Sequence, residues 1–158
     1  MFVDEALEVD VSAEALRLLF STFQTSGALQ RAADEAFRAG RQVLANAEFA
    51  PLVSGIRAEV LPAYLRGELT VIPMRWLVAE SPEITLLDAN LEYQELDERT
   101  CLLSFRGTFR LPEVPVRPVS NVEWTATHSA TRMFLDRICE YAGGSARCTE
   151  IDDERAVG

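Results

Sequence analysis

The sequence predicts an α+β fold, and three features carry this prediction. The chain opens with an alternating apolar and polar stretch, continues with two amphipathic helical stretches, and changes to a period of two residues from Gly55 to Pro112. A final helical stretch follows. Because successive strands with short connections form an antiparallel meander, we expect one antiparallel sheet, two helices inserted after its first strand, and a long C-terminal helix.

Length and composition indicate one globular domain. The chain has 158 residues, of which 48% are hydrophobic and 25% charged, and this balance is typical of globular proteins. We assign residues 1–143 to a single domain and residues 144–158 to a disordered acidic tail, because the tail has no periodicity and few apolar residues. No stretch reaches the length of a membrane span. The opening "MFVDEALEVDV" lacks a signal-peptide pattern, so we expect a cytoplasmic protein.

Charge and residue usage exclude several functions. The formal net charge is -10, which disfavours nucleic acid and anionic membranes as partners. All 15 basic residues are arginine, so no lysine is present for a Schiff base or a phosphate-binding loop. Cys101, Cys139 and Cys148 form no CxxC pair, and the chain has one histidine. We therefore expect no metal site, no disulfide framework and no cofactor.

The N-terminal third predicts a strand followed by two helices. Residues 3–11 alternate, and Val3, Leu7, Val9 and Val11 share one parity. Ser12 is a predicted N-cap for the helix "AEALRLLFSTF". The next stretch, "ALQRAADEAFRAGRQVLA", has an apolar stripe with charged flanks. We expect this stripe to cover the core, and a surface for dimerisation or partner binding is the alternative.

The four period-two segments are "GIRAEVLPAYLRG", "ELTVIPMRWLVAES", "EITLLDANLEYQELD" and "RTCLLSFRGTFRLPE". Their alternation predicts one apolar and one polar sheet face. The apolar face contains Ile72, Met74, Trp76, Val78, Leu87, Ala89, Leu91, Tyr93, Cys101, Leu103, Phe105, Gly107 and Phe109. The polar face contains Arg57, Arg75, Asp88, Asn90, Glu92 and Arg106. Opposite charges on neighbouring strands are typical of a solvated face.

A proline-rich segment separates the meander from the last helix. "LPEVPVRPVS" cannot continue a sheet, and we interpret it as a linker or a rigid lip. Asn121 is a predicted cap for a helix that runs to residue 142 and is stopped by Gly143 and Gly144. Its predicted inward face contains Trp124, Thr127, His128, Thr131, Phe134, Leu135 and Ile138.

This order of elements resembles the helix-grip fold of the START-like, Bet v 1-like superfamily. The segments "VIPMRW", "LLDANLEY", "LLSFRGTFRLP" and "HSATRMFLDRICEYA" are similar to those of bacterial SRPBCC or polyketide cyclase/dehydrase-like proteins. The resemblance covers residues 3 to 142 and implies a curved antiparallel sheet wrapped around the last helix, with a cavity between them. It carries over no catalytic residue, because the superfamily has no universal one.

Three classes of function stay open. The first is binding of a small, mainly apolar or aromatic ligand in the cavity, and the second is a cyclase or dehydratase-like enzyme that uses the same cavity. The third is a protein-interaction module with a filled core, and a homodimer is compatible with each class. His128 is the one weak candidate for acid–base catalysis. The predicted ligand-binding residues are Met74, Trp76, Tyr93, Phe105, Phe109, Trp124, His128, Thr131 and Leu135.

Overall fold

The computed structural model describes residues 1–47, 53–110, 121–144 and 146–147. Its strands are β1 (Phe2–Val9), β2 (Ile56–Val60), β3 (Tyr64–Arg66), β4 (Leu69–Val78), β5 (Ser81–Glu95), β6 (Cys101–Phe109) and β7 (Ala146–Arg147). Its helices are α1 (Ala13–Ser21), α2 (Ala28–Asn46) and α3 (Asn121–Tyr141). The predicted linker 111–120 lies outside the described residues, as do residues 145 and 148–158 of the predicted tail.

The strands form one antiparallel sheet in the order β2-β4-β5-β6-β1-β7, and β3 also pairs with β4. The predicted meander is therefore confirmed, and β1 joins it beside β6. The sheet is curved and open, and the last of the three helices follows it in the chain. This mixed α+β arrangement is consistent with a helix-grip fold.

Two prolines explain why the first meander segment is divided. The sequence predicted one strand in residues 55–67, but β2 ends at Val60 and β3 begins at Tyr64, with Pro62 between them. The Pro73 carbonyl accepts a 2.8 Å hydrogen bond from Leu61 N. In an antiparallel strand, the N–H and C=O groups of one residue point to the same neighbouring strand. The side of Pro73 that lacks an N–H therefore faces the break between β2 and β3, and no hydrogen bond to β5 is lost.

Part of the predicted tail is ordered. Residues 146–147 form β7, which pairs with Glu8 and Val9 of β1. For the rest of the segment after residue 144, the disordered tail stays a prediction. β7 follows a tight C-terminal stop of α3, in which Gly143 has a φ of 83° and Gly144 N donates to the Cys139 carbonyl at 3.0 Å. A glycine at positive φ is the usual way to end a helix.

The predicted helices are confirmed, and α2 packs along α3. The Ser12 hydroxyl accepts a 3.2 Å hydrogen bond from Ala15 N and so caps α1. Small residues allow α2 and α3 to approach each other closely. A Cβ added to Gly40 would lie 3.1 Å from the Ala126 carbonyl oxygen and 3.3 Å from the Ala130 Cβ. The apolar stripe of α2 therefore covers the core, as expected. No helix among the described residues is long and apolar enough to cross a membrane.

The predicted apolar sheet face forms the core against α2 and α3. The opposite face departs from the prediction around Glu92, which is only 2% exposed instead of solvated. It lies between the buried Val71 and Ser104 in the strand register. Arg66 of β3 reaches over it, with Nη2 2.7 Å from Glu92 Oε1. β3 thus covers a carboxylate that the alternating sequence pattern predicted to be exposed to solvent.

Candidate functional site

Five of the predicted ligand-binding residues are fully buried between the sheet and α3. They are Met74, Trp76, Phe105, Thr131 and Leu135. The two aromatic rings among them pack edge to face with neighbouring rings. The centroid of the Trp76 ring lies 5.8 Å from that of the Phe109 ring and 5.6 Å from that of the Phe134 ring. Phe105 packs on Phe134 in the same way at 5.5 Å. This packing is typical of an aromatic core.

The indole of Trp76 carries an unusual polar atom. Its Nε1 is buried and donates no hydrogen bond to any of the described residues. A buried N–H without an acceptor lowers stability by about 1 to 3 kcal/mol. Thr131 is satisfied locally, because its hydroxyl donates to the Thr127 carbonyl at 2.9 Å.

Trp124 lies on the surface, so its predicted inward position is wrong. Its side chain is 55% exposed, and the buried face of α3 in this region is formed by Glu123, Ala126 and Ala130. The physical reason is the close approach of α2 at Gly40, which selects small residues of α3 for the interface. The Trp124 ring packs instead on the imidazole of His128, with centroids 4.0 Å apart.

His128 lies at the edge of the sheet and contacts a carboxylate of β1. Its Nδ1 forms an ion-pair contact with Oε1 of Glu5, and the two side chains are 39% and 15% exposed. Glu5 Oε1 is itself buried and accepts no well-aligned hydrogen bond. The carboxylate therefore keeps acceptor capacity beside the imidazole, and the imidazole has a second ring nitrogen for another partner.

A groove opens at this contact. It has a volume of about 410 Å³ and is lined by Glu5, Ala39, His128, Ser129, Arg132, Met133 and Asp136. Arg132 and Asp136 form an ion pair at 3.7 Å at one end of the groove. Partial burial raises the pKa of Asp136 above its ordinary range, and Arg132 opposes this shift. The groove thus combines an apolar lining with a histidine–carboxylate pair.

Tyr93, another predicted ligand-binding residue, lines a different opening. This cleft lies between α1 and the adjoining ends of β4 and β5, and its volume is about 500 Å³. A third pocket of about 310 Å³ lies between α2 and the start of β2, where Asp34, Phe37 and Arg41 line it. His128 and Tyr93 therefore belong to two separate sites.

Glu5 is the residue that the sequence prediction missed. It shares the strand parity of Val3, Leu7 and Val9, so its side chain points to the core face of the sheet. The alternating pattern alone places this charged residue on the apolar face. Charged residues are rarely buried without a partner, so the pattern could have indicated that Glu5 has one.

In the described part of the chain, the cysteines and acidic residues offer no further reactive centre. Cys101 and Cys139 are buried free thiols, and burial raises the pKa of each to about 11. Such thiols are poor nucleophiles at neutral pH. Within the described ranges, no group of histidine, cysteine and acidic side chains has the geometry to hold a metal ion.

Comparison with solved structures finds a structural likeness. No family model matches the sequence, and no curated protein matches it. The chain is similar to the crystal structure of the Zhui aromatase/cyclase from Streptomyces sp. R1128, at 12% sequence identity and a TM-score of 0.29. The match covers 90% of this chain and 93% of that chain.

Proposed function

We propose that this protein is a helix-grip protein of START-like type that binds a small, mainly aromatic or apolar molecule in the groove beside α3. In this proposal His128 and Glu5 orient one polar group of the ligand. The site lies at the edge of the sheet instead of deep between the sheet and α3, where aromatic side chains occupy the predicted position.

The contact between Glu5 and His128 is the observation that carries the proposal. A carboxylate on the core face of a strand costs free energy unless a partner compensates for its lost hydration. His128 compensates in part, while Glu5 Oε1 still accepts no well-aligned hydrogen bond. A ligand hydroxyl in the groove can donate to the Glu5 carboxylate and accept from the imidazole, so a phenol or an enol matches both groups.

The surroundings of the pair support a ligand with an aromatic or apolar body. Ala39 and Met133 line the groove beside the Glu5–His128 contact, and methionine adapts its shape to aromatic surfaces. Trp124 lies next to His128 with more than half of its surface in contact with solvent. Few well-placed polar groups in a mainly apolar lining are typical of small-molecule sites.

Acid–base catalysis at the same site is the second candidate function. The Glu5 carboxylate contacts one ring nitrogen of His128, and such a contact fixes the tautomer and direction of an imidazole. The other nitrogen can then take or give a proton, as a cyclase or dehydratase requires. The resemblance of the meander and α3 to polyketide cyclase/dehydrase-like proteins favours substrates of that kind. The reaction would need no cofactor.

Binding is tested with a library of aromatic, lipid-like and polyketide-like compounds. Because the chain has a single histidine, the imidazole NMR signals of His128 report directly on this site. We expect hits that shift these signals and raise the melting temperature. His128→Ala and Glu5→Gln should each weaken binding about fivefold or more, the effect of one lost hydrogen bond.

Thr125→Ala is a matched control, because Thr125 is exposed on the same helix and its hydroxyl bonds only to the Asn121 carbonyl at 2.8 Å. It should leave the affinity unchanged. Hits that bind His128→Ala as tightly as the wild type would contradict the proposal. A library without hits would favour the protein-interaction class, for which a homodimer is the first partner to test. Turnover of a hit by the wild type and not by His128→Ala would establish the catalytic alternative.

A further inference from the structure

The cleft lined by Tyr93 is strongly acidic. It is bounded by the start of α1 on one side and by the ends of β4 and β5 with the following turn on the other. Its lining residues are Ser12, Ala13, Glu14, Arg17, Glu68, Thr70, Tyr93, Glu95 and Glu98. Four carboxylates and one guanidinium thus face a volume of about 500 Å³.

The one positive charge of the cleft is neutralised locally. Arg17 Nη2 lies 2.6 Å from Glu14 Oε1, one helical turn away. The carboxylates of Glu68, Glu95 and Glu98 remain, and none of them forms an ion pair with any residue that the structure describes. Glu68 only accepts a 3.1 Å hydrogen bond from the Gln94 amide. The cleft therefore carries an excess of three negative charges, which excludes an anion.

Tyr93 provides an independent sign of a ligand. Its side chain is only 8% exposed, and its ring is held by Phe20 of α1, with centroids 5.5 Å apart. Its hydroxyl nevertheless makes no hydrogen bond to any described residue, although it belongs to the lining of the cleft. A tyrosine side chain that is this deeply buried usually has a hydrogen-bond partner for its hydroxyl. This oxygen can accept a hydrogen bond from a donor that enters the cleft.

The spacing of the carboxylates selects the kind of cation. No three acidic groups in the described part of the chain are close enough to hold a metal ion. The charges are instead distributed around the cleft, in the turn before β4, at the end of β5 and in the turn after it. A molecule whose positive charges are spread along a chain matches this arrangement, and each ammonium group offers three donors.

We propose that this cleft is a second binding site, separate from the groove at His128, and that it binds an aliphatic diamine or polyamine. Glu68, Glu95 and Glu98 attract the ammonium groups, and the Tyr93 hydroxyl accepts a hydrogen bond from one of them.

Calorimetric titration with spermidine at low ionic strength tests this proposal. We expect one saturable site in the wild type. The double variant Glu95→Gln/Glu98→Gln should weaken binding about fivefold to tenfold, since each exposed charge pair contributes modestly. Tyr93→Phe keeps the ring that packs on Phe20 and should weaken binding about threefold to tenfold through the lost hydrogen bond.

The control must remove the same charge elsewhere, because a chain with a net charge of -10 attracts any polycation. Glu80→Gln/Glu83→Gln is suitable, since both residues are exposed at the turn between β4 and β5 and neither lines the cleft. This variant should bind spermidine as the wild type does. An equal loss of affinity in the control, an unchanged affinity of Tyr93→Phe, or no saturable binding to the wild type would each overturn the proposal.

Discussion

Gly107 of β6 and Ala89 of β5 are paired on the core face of the sheet with no space for a second side chain. A Cβ on Gly107 would come within 2.7 Å of both the Ala89 Cα and the Asp88 carbonyl oxygen. Cross-strand Cβ atoms are normally about 4.5–5.5 Å apart. A glycine in such a strand marks a close approach of two backbones, and here it lies in the central part of the curved sheet.

Replacement of this glycine should therefore be costly. We expect Gly107→Ala to lower the free energy of unfolding by about 3 kcal/mol, because the new methyl group meets backbone atoms that cannot rotate away. Urea denaturation measures this change. Gly55→Ala is the control, since its Cβ would find only the Ala79 Cβ at 3.8 Å. An equal effect of the two substitutions would contradict the close approach.

The contact of the exposed Arg66 with the buried Glu92 predicts a non-additive pair of mutations. Arg66→Ala should lower stability by about 1 to 3 kcal/mol in the wild type, because it leaves a buried carboxylate without its charged partner. In a Glu92→Gln background the same substitution should cost less, since no buried charge remains. A double-mutant cycle by chemical denaturation measures the difference.

The exposed pair of Arg57 and Glu59 on the same sheet face provides the comparison. Arg57→Ala should change stability by less than about 1 kcal/mol. If Arg66→Ala had the same small effect in both Glu92 backgrounds, the burial of Glu92 would carry no energetic weight.

Substitution of the two tryptophans should lower the free energy of unfolding by very different amounts. Trp76→Ala should cost about 3 to 5 kcal/mol, as expected for a large ring removed from a packed core. Trp124→Ala should cost less than about 1 kcal/mol, since most of this ring is exposed. In fluorescence, iodide should quench Trp124 in a Trp76→Phe variant and leave Trp76 largely unquenched in Trp124→Phe. Equal quenching of the two would show that Trp124 is buried after all.

The buried thiols predict a loss of stability at alkaline pH. Burial raises the pKa of Cys101 and Cys139 to about 11, whereas a thiol in the unfolded chain ionises near 8.5. The folded state thus holds the thiol protons more tightly, and its advantage is complete below about pH 8.5. The free energy of unfolding should fall as the pH rises from about 8.5 towards 11.

Thermal or urea unfolding at several pH values measures this slope. Cys148 lies outside the described residues, so the background for the experiment is Cys148→Ser. The further variant Cys101→Ala/Cys139→Ala should lose this part of the pH dependence, although other groups keep theirs. In the same background, iodoacetamide at pH 8 should modify the native protein far more slowly than the protein in urea. Rapid modification of the native protein would contradict the burial of both thiols.

The sheet could be predicted because successive residues of a strand point to opposite faces, so the face of a residue depends only on whether its position is odd or even. The core face from Ile72 to Phe109 followed from this rule. Whether an outward residue is covered depends on other segments, and parity does not contain that information. Glu92 is buried because Pro62 interrupts the first segment and β3 then places Arg66 over it.

The candidate site could be predicted only in part, because the inward face of α3 was assigned from helical periodicity. Periodicity placed Trp124 inward, whereas the contact with Gly40 required Ala126 and Ala130 at the interface. His128 was chosen as a candidate through its chemistry, and in the structure it contacts Glu5 and lines the groove. Its partner Glu5 belongs to the far end of the sequence, and only the pairing of β1 with β6 brings the two together.

The pairing of β1 with β6 also has a consequence for how the chain reaches its native state. β1 is the first strand to be synthesised, but its hydrogen-bonding neighbour β6 is the last strand of the meander. Contacts between distant segments require the closure of a long loop and slow the folding of a domain. Until β6 has been synthesised, the apolar side chains of β1 and its backbone hydrogen-bonding groups therefore stay exposed. Such an unpaired strand edge is a starting point for aggregation. Asp4 and Glu8, which alternate with its apolar residues, are well placed to keep the unpaired strand from pairing with other chains.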